Sequence, residues 1–262
     1  MKNWKSKYGE WALITGASSG IGEAFAKRLG EMGMSLILVA RRKEKLDEIS
    51  KEIKSKNNVD VFILQQDLTK RDAVENIKKA VEEREVGLLI NNAGFGSTGE
   101  FAEGDSETDK DMILLSCVIP SELTHHFVKP MKERRKGGII FLGSVVGFIP
   151  VPYMAVYSAV KAFNHYLGSA LWYELKKFNI DILSLNPGGT DTEFQRVADI
   201  KSGPLVRTPE NVVETAIKSL GKKPAVIDGL VNKFYISLAK IIPGRIVTQI
   251  GGKSADYLSK KK

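Results

Sequence analysis

The chain has 262 residues, of which 43% are hydrophobic and 27% are charged, and its formal net charge is +8. These values are typical of a folded globular protein and exclude a disordered or collagen-like chain. The apolar runs are far shorter than the ~20 residues of a membrane-spanning helix, and the basic N-terminus lacks the apolar core of an export signal. The lone Cys117 excludes an internal disulfide and a cysteine metal cluster. We therefore expect a cytoplasmic protein, because a reducing compartment fits this cysteine usage.

The positive charge is compatible with nucleic acid, anionic lipid or a phosphate-bearing ligand. Lysines are spread along the chain, and only residues 260–262 form a tight basic run, so a solvated lysine-rich surface is the favoured interpretation. The sequence contains no zinc-finger spacing and no RNA-binding aromatic motif, which argues against nucleic acid. His125 and His126 lie in a predicted helix away from the candidate site, so we expect no metal.

Short apolar runs alternate with amphipathic stretches along the chain. We predict strands at residues 11–14, 36–40, 61–64, 88–91, 139–142, 182–185 and 225–227. We predict helices at residues 21–32, 43–55, 71–84, 109–136, 155–178 and 209–220, with Pro120 and Pro130 expected to kink or divide the fourth. Apolar strands that alternate with helices indicate a parallel sheet covered on both faces. The sequence thus predicts one doubly wound, Rossmann-like α/β domain over residues 1–262, with a C-terminal extension at 225–262.

A glycine-rich segment joins the first predicted strand to the first predicted helix; it reads Thr15-Gly16-Ala17-Ser18-Ser19-Gly20-Ile21-Gly22. Small residues let the backbone turn tightly and approach a diphosphate, and a helix N-terminus offers that anion unpaired N–H groups. An ordinary glycine-rich turn has the same composition, but the strand–turn–helix context favours a nucleotide site. The glycine spacing is G-x-x-x-G-x-G rather than G-x-G-x-x-G.

Tyr157 and Lys161 are four residues apart in a predicted helix and therefore share one of its faces. A tyrosine has an ordinary pKa of about 10, and a nearby ammonium lowers it by favouring the phenolate. Such a pair can exchange protons near neutral pH, although alone it is no more than a common helical pair. Ser144 follows the fifth predicted strand, and ligands bind beyond the carboxyl ends of strands in a doubly wound sheet. The three side chains together therefore favour a catalytic site.

These motifs together resemble the short-chain dehydrogenase/reductase superfamily, in its compact single-domain branch. The resemblance runs from about residue 11 to about residue 220, and it also rests on Asp67-Leu68, Asn91-Asn92-Ala93-Gly94 and Pro187-Gly188. It implies an oxidoreductase that interconverts a carbonyl and a secondary alcohol by hydride transfer. It also implies that Ser144 binds the substrate oxygen, that Tyr157 is the general acid/base, and that Lys161 tunes Tyr157 and binds the nicotinamide ribose.

The end of the second predicted strand distinguishes NADP from NAD. Proteins that bind NAD place an acidic residue there for the ribose 2′-hydroxyl, whereas this chain has Arg41 and Arg42. The planar guanidinium suits a phosphate, so we predict NADP(H), although one of the two arginines can instead be a solvated helix-start residue. The cofactor-binding residues that the resemblance implies are Gly16, Ser18, Ser19, Gly20, Ile21, Gly22, Arg41, Arg42, Asp67, Leu68, Asn91, Ala93, Gly94, Tyr157, Lys161, Pro187, Gly188, Thr190 and Thr192.

One position departs from the family pattern. Family members usually carry an Asn in the long central helix, where it completes a catalytic tetrad and holds a water, whereas this chain has Ser116 there. Serine can bind a water but has no amide, so either the proton relay is rebuilt or turnover is slow; a neutral substitution is equally compatible. An NADP(H)-binding sensor or scaffold with little turnover is therefore the alternative function, although the intact Ser144, Tyr157 and Lys161 argue against it.

Three segments, at residues 96–103, 145–154 and 193–207, are expected to line or cover the substrate pocket. The apolar residues in or beside them are Phe95, Phe148, Ile149, Val151, Tyr153, Met154 and Phe194. Their composition favours an apolar carbonyl or alcohol as substrate, and ordinary loop packing explains it almost as well.

The C-terminal extension lacks the ending that builds the tetramer of 3-oxoacyl-carrier-protein reductases, and it resembles a subgroup with an extended C-terminal helix. A stripe on the helix predicted at residues 231–242 consists of Val231, Phe234, Tyr235, Leu238, Ile241 and Ile242. With Lys233 and Lys240 beside it, the stripe suits a membrane surface, but packing on the domain or on another subunit is favoured. The helices at 109–136 and 155–178 resemble those that pair in family dimers, so we predict a homodimer.

Overall fold

A computed structural model of the chain describes residues 4–194 and 206–259, and side chains as far as residue 253. Seven strands form the sheet: β1 Trp11–Thr15, β2 Ser35–Ala40, β3 Val61–Gln65, β4 Val86–Asn91, β5 Gly137–Leu142, β6 Ile180–Asn186 and β7 Ala225–Ile227. They are all parallel and lie in the order β3-β2-β1-β4-β5-β6-β7. The predicted doubly wound α/β sheet is confirmed, and each predicted strand is present and at most three residues longer than predicted.

The helices are α1 Trp4–Tyr8, α2 Gly20–Glu31, α3 Lys43–Lys56, α4 Ala73–Ala80, α5 Ser106–Ile113, α6 Ile119–Arg134, α7 Ala155–Lys176, α8 Pro209–Ser219, α9 Leu230–Ala239 and α10 Gly244–Ser259. The sequence did not predict α1 or α10, and α4 is shorter than its predicted range. No helix in the described ranges is long and apolar enough to cross a membrane.

Apolar side chains on both faces of the strands explain why helices cover the sheet on each side. On one face Phe25 and Leu29 of α2 are completely buried in a core that includes strand residues such as Ile14 and Leu38. On the other face α4 and α6 contribute to a second core around Leu13 and Leu89. Full burial of each such side chain stabilises the fold by roughly 1.5–3 kcal/mol.

The central β1 and β4 create the crevice in which a ligand can bind. The chain leaves β1 toward α2 on one side of the sheet, whereas the segments after β4 lead to α5 and α6 on the other. At such a switch point the connections diverge and leave an open cleft at the carboxyl edge of the sheet. The glycine-rich turn after β1 and the Asn92–Gly94 segment after β4 therefore meet there.

The helix predicted at residues 109–136 is divided, as Pro120 suggested, but the break lies before the proline. A π-helical turn at Leu114–Val118 separates α5 from α6, and Pro120 lies in the first turn of α6, where its missing N–H costs little. Pro130 lies inside α6 without ending it. The π turn carries Ser116 into the buried interior, and such turns occur often at functional sites.

The C-terminal helix is present as α9, but the favoured packing of its apolar stripe on the domain is wrong. Val231, Phe234, Tyr235 and Leu238 are exposed, while the side of α9 that faces the domain carries Ile236 and Ala239. Because this side is the one that packs on the domain, the larger apolar residues of the stripe point to solvent.

Candidate active site

A pocket of ≈ 530 Å³ opens along the carboxyl edge of the sheet. It contains most residues that the sequence assigned to the site, drawn from segments far apart in the chain. Those lining it are Gly16, Ser18, Ser19, Gly20, Ile21, Arg41, Arg42, Asp67, Leu68, Ala93, Gly94, Ser144, Tyr157, Lys161, Pro187, Gly188, Thr190 and Thr192. Gly22, Asn91 and Ser116 do not line it.

The glycine-rich turn between β1 and α2 forms a cradle whose shape requires glycine at two positions. Gly16 and Gly20 adopt left-handed backbone conformations, with φ of 66° and 57°. Residues other than glycine rarely adopt this conformation. A Cβ atom on Gly16 would lie 2.9 Å from Cα of Ala93. Ser19 precedes α2 without capping it through its side chain, so the first N–H groups of α2 remain available to an anion.

Gly22 does not line the pocket, and its role is in packing. A Cβ atom there would lie 2.3 Å from the carbonyl oxygen of Gly16. The first turn of α2 therefore fits against the turn only because position 22 has no side chain. Its predicted contact with the cofactor is corrected accordingly.

Adjacent asparagines at the end of β4 have different environments. Neighbouring residues of a strand point to opposite faces, and the Asn91 amide reaches Thr124 of α6, with 3.3 Å between Nδ2 and Oγ1. Asn92 donates instead to the carbonyl oxygens of Thr15 at 2.8 Å and Gly16 at 3.2 Å, and it lines the pocket. Asn91, which was predicted to bind the cofactor, therefore lies outside the pocket lining, and Asn92 braces the glycine-rich turn.

Arg42 lies over the turn after β1. Its guanidinium Nη2 donates to Ser18 Oγ at 3.2 Å, and Nη1 forms an ion pair with Glu193 at 2.8 Å. Both partners of this pair are partly exposed, and such pairs contribute little to stability. Arg41 lies at the same end of the pocket, so two guanidinium groups are available to an anion there.

Ser144, Tyr157 and Lys161 converge on the other part of the pocket and are all buried. Ser144 follows β5; its hydroxyl donates to the carbonyl oxygen of Pro187 at 3.3 Å and is hydrogen-bonded to Tyr157. One turn along α7 from Tyr157, the Lys161 ammonium donates to the carbonyl oxygen of Leu142 at 3.0 Å. The spacing inferred from the sequence therefore yields one cluster with a proton donor, an ammonium and a hydroxyl.

Burial sets the protonation of this cluster. Burial raises the pKa of the Tyr157 phenol above its ordinary value, and the hydrogen bond with Ser144 offsets only part of that rise. Burial also lowers the pKa of Lys161 to about 8. The expected lowering of the Tyr157 pKa by the ammonium is therefore wrong for the protein alone, because desolvation disfavours both charged forms. Tyr157 is a neutral acid at physiological pH.

Asn164 is a residue that the sequence reasoning missed. Its Nδ2 donates to the carbonyl oxygen of Ser116 at 2.8 Å, so it brings an amide to the π turn where Ser116 stands. Ser116 Oγ and Asn164 Oδ1 are buried and have no hydrogen-bond partner among the described residues. A signal was present, since Asn164 lies three residues after Lys161 and hence on the same side of α7.

The substrate side of the pocket is apolar. Phe95, Met154 and Phe194 line it, whereas Phe148, Ile149, Val151 and Tyr153 do not. The Phe194 ring lies 5.4 Å from the Tyr157 ring, and a Cβ atom on Gly96 would lie 2.8 Å from Phe194. The predicted cover at residues 195–205 lies outside the described residues.

Comparison with known proteins agrees with this arrangement. The family model for short chain dehydrogenase matches residues 10–202. A 7β-hydroxysteroid dehydrogenase of Clostridium sardiniense is 32% identical over 234 residues, which cover 88% of this chain and 90% of that protein. A solved structure of a 7β-hydroxysteroid dehydrogenase has a TM-score of 0.89 and 28% identity, covering 95% of this chain and 99% of that chain.

A second solved structure is a short-chain dehydrogenase from Sphingobium yanoikuyae in complex with NADPH. It has a TM-score of 0.78 and 33% identity, and the match covers 83% of this chain and 86% of that chain. The extent of the family match and of these relatives assigns the chain: it belongs to the short-chain dehydrogenase/reductase family of oxidoreductases.

Proposed function

We propose that this oxidoreductase uses NADP(H) to interconvert an apolar ketone and the corresponding secondary alcohol. The observation that carries the proposal is the convergence of Ser144, Tyr157 and Lys161 in one buried pocket that continues to the glycine-rich cradle. A neutral phenol and a hydroxyl suit protonation of a carbonyl oxygen, and a cradle of backbone N–H groups suits a diphosphate.

The residues present fit NADP(H) at both ends. The diphosphate would lie on Ser18, Ser19, Gly20 and Ile21, and Arg41 and Arg42 would bind the 2′-phosphate through charge-assisted hydrogen bonds. We assign the adenine to Asp67 and Leu68, its ribose to Ala93 and Gly94, and the nicotinamide end to Lys161, Pro187, Gly188, Thr190 and Thr192. The NADPH complex of the Sphingobium relative supports this choice of cofactor.

When bound, NADPH supplies the hydride that reduces the carbonyl carbon. Tyr157 donates its hydroxyl proton to the carbonyl oxygen, and Ser144 turns its hydroxyl from the Pro187 carbonyl toward the same oxygen. The Lys161 ammonium stabilises the phenolate that Tyr157 becomes, because an adjacent cation favours the charged form. In the oxidative direction Tyr157 takes the proton back from the alcohol.

The apolar lining favours a bulky apolar substrate. Phe95, Met154 and Phe194 offer no charged group that would bind a phosphate or carboxylate of the substrate. Two of the similar proteins are named as 7β-hydroxysteroid dehydrogenases, which supports steroid ketones as the first class to test.

The alternative is an NADP(H)-binding sensor or scaffold with little turnover. Ser116, in the place of the family's usual Asn, is the observation that favours it. A panel of steroid ketones, smaller ketones, aldehydes and acyl thioesters, followed by NADPH absorbance, separates the two functions. Turnover that disappears in Tyr157→Phe supports the enzyme, whereas NADPH binding without turnover on the whole panel supports the sensor.

We further propose that the protein is a cytoplasmic homodimer that pairs through α7. The outer side of α7 exposes Phe163, Tyr166 and Tyr173, and closed two-fold dimers are the commonest oligomers. Pairing of this face would remove these aromatic rings from water. The lone Cys117 supports a reducing compartment.

A further inference from the structure

The side of the C-terminal helices that faces away from the domain is apolar and exposed. The exposed apolar residues that it carries are Leu230, Phe234 and Leu238 of α9, Ile241 of the turn after it, and Ile246 and Ile250 of α10. Phe234 is 72% exposed and Ile241 is 82% exposed. We call these six residues the C-terminal apolar face. An exposed apolar surface of this extent is rare on a protein that has no partner for it.

Positive charge surrounds this face. Lys233, Arg245 and Lys253 are exposed on the same two helices, and residues 229–255 contain no Asp or Glu. Two such faces in a two-fold contact would bring like charges together, which disfavours a second copy of the chain as the partner. Large apolar side chains flanked by basic residues fit an interface that is apolar inside and anionic at its surface.

The C-terminal helices pack on the domain through their inner side. Ile236, Ala239 and Val247 are buried against the domain, and Asn232 donates from Nδ2 to the carbonyl oxygen of Asp228 at 2.8 Å. The helix is therefore folded against the protein before any partner arrives, so binding requires little further ordering.

The C-terminal helices also lie beside the segment that leads to the pocket. Cβ atoms on Gly251 and Gly252 of α10 would each lie 3.5 Å from Pro152, and Lys240 lies over the Phe148 ring at 5.0 Å. The same segment continues to Met154, which lines the pocket. The domain-facing side of the C-terminal helices thus contacts the segment that borders the apolar side of the candidate site.

We propose that the C-terminal apolar face docks the protein on the surface of an anionic phospholipid bilayer, with α9 and α10 lying in the headgroup region. This goes beyond the catalytic proposal and does not depend on turnover. The apolar side chains enter the acyl boundary, while the lysines and Arg245 remain at the level of the phosphates.

The test is flotation of the full chain with vesicles of phosphatidylcholine and phosphatidylglycerol, compared with vesicles of phosphatidylcholine alone. We expect binding to the anionic vesicles that weakens as salt is raised. The double variant Phe234→Ser and Ile241→Ser should lower the partition coefficient by at least about tenfold. The triple variant Lys233→Gln, Arg245→Gln and Lys253→Gln should lower it by about fivefold for each charge removed.

A matched control distinguishes binding through the C-terminal apolar face from binding that depends only on the total charge of the protein. The triple variant Lys51→Gln, Lys54→Gln and Lys56→Gln on α3 removes the same net charge from exposed positions and should bind vesicles like the parent. Each variant must retain the parent's NADPH affinity, which shows that it is folded.

Three results would overturn the proposal. The first is absence of binding to anionic vesicles at low salt. The second is a loss of binding in the control variant on α3 that equals the loss in the variant of the basic residues beside the face. The third is a parent oligomer, seen by light scattering, that dissociates in the Phe234→Ser and Ile241→Ser variant, because a second copy would then cover the face.

Discussion

Arg42 and Glu193 form an ion pair inside the pocket, with 2.8 Å between Nη1 and Oε2. The guanidinium assigned to the 2′-phosphate is thus held by a carboxylate that the phosphate would have to replace. Because both side chains are more than a third exposed, the pair is weak enough for a phosphate to displace it.

This competition predicts opposite effects of two substitutions. Arg42→Ala should weaken NADPH binding about tenfold or more, since charge-assisted hydrogen bonds contribute roughly 1.5–3 kcal/mol, and it should leave NADH affinity almost unchanged. Glu193→Gln should tighten NADPH binding by removing the competing charge. Calorimetry with both cofactors measures these changes, and equal affinities of the parent for NADPH and NADH would contradict the assignment of Arg41 and Arg42.

The buried ammonium predicts a pH dependence of cofactor binding. Burial lowers the pKa of Lys161 to about 8 in the protein alone, so the charge is present below that pH and is lost above it. The dissociation constant for NADPH should therefore be flat between about pH 7 and 7.5 and should rise above about pH 8, because the neutral amine loses one charge-assisted donor. Fluorescence titration measures it. In Lys161→Met the rise should disappear; if it persists there, another group causes it.

Asn164 is predicted to help turnover without binding the cofactor. The buried oxygens Ser116 Oγ and Asn164 Oδ1 have no partner among the described residues, and buried polar atoms of this kind commonly bind a water. Asn164→Leu should lower kcat about tenfold by removing the amide, with NADPH affinity retained. Ser158→Ala, which removes another buried hydroxyl from α7, is the control. An unchanged kcat in Asn164→Leu would contradict a proton relay rebuilt through Asn164.

The exposed aromatic rings on α7 predict the oligomeric state. Light scattering of the parent at micromolar concentration should give the mass of a dimer. Tyr166→Glu should shift it toward the monomer, because a buried unpaired carboxylate at the contact costs several kcal/mol. A tetramer would refute the argument from the missing C-terminal ending, and a monomeric parent would refute pairing through α7.

Local patterns predicted the sheet well because its strands are continuous apolar runs between helices. They could not locate the break at Leu114–Val118, since a π turn leaves the apolar pattern of the flanking helices unchanged. Asn164 was missed because its role depends on the position of that turn against α7. The apolar stripe of α9 was recognised from the sequence. Periodicity shows that apolar side chains lie on one face of a helix, but it does not show which face packs on the domain. The residues of α9 that are buried against the domain are Ile236 and Ala239.

The central claim is that Tyr157 protonates a ketone oxygen in an NADPH-dependent reduction. Its most direct test is steady-state reduction by Tyr157→Phe, with an apolar ketone that the parent reduces, together with calorimetry of NADPH binding. We expect turnover to fall by about 10²–10⁴-fold while the NADPH dissociation constant changes by less than about twofold, because only a hydroxyl is removed. Turnover within a few-fold of the parent would contradict the account, because another group would then supply the proton.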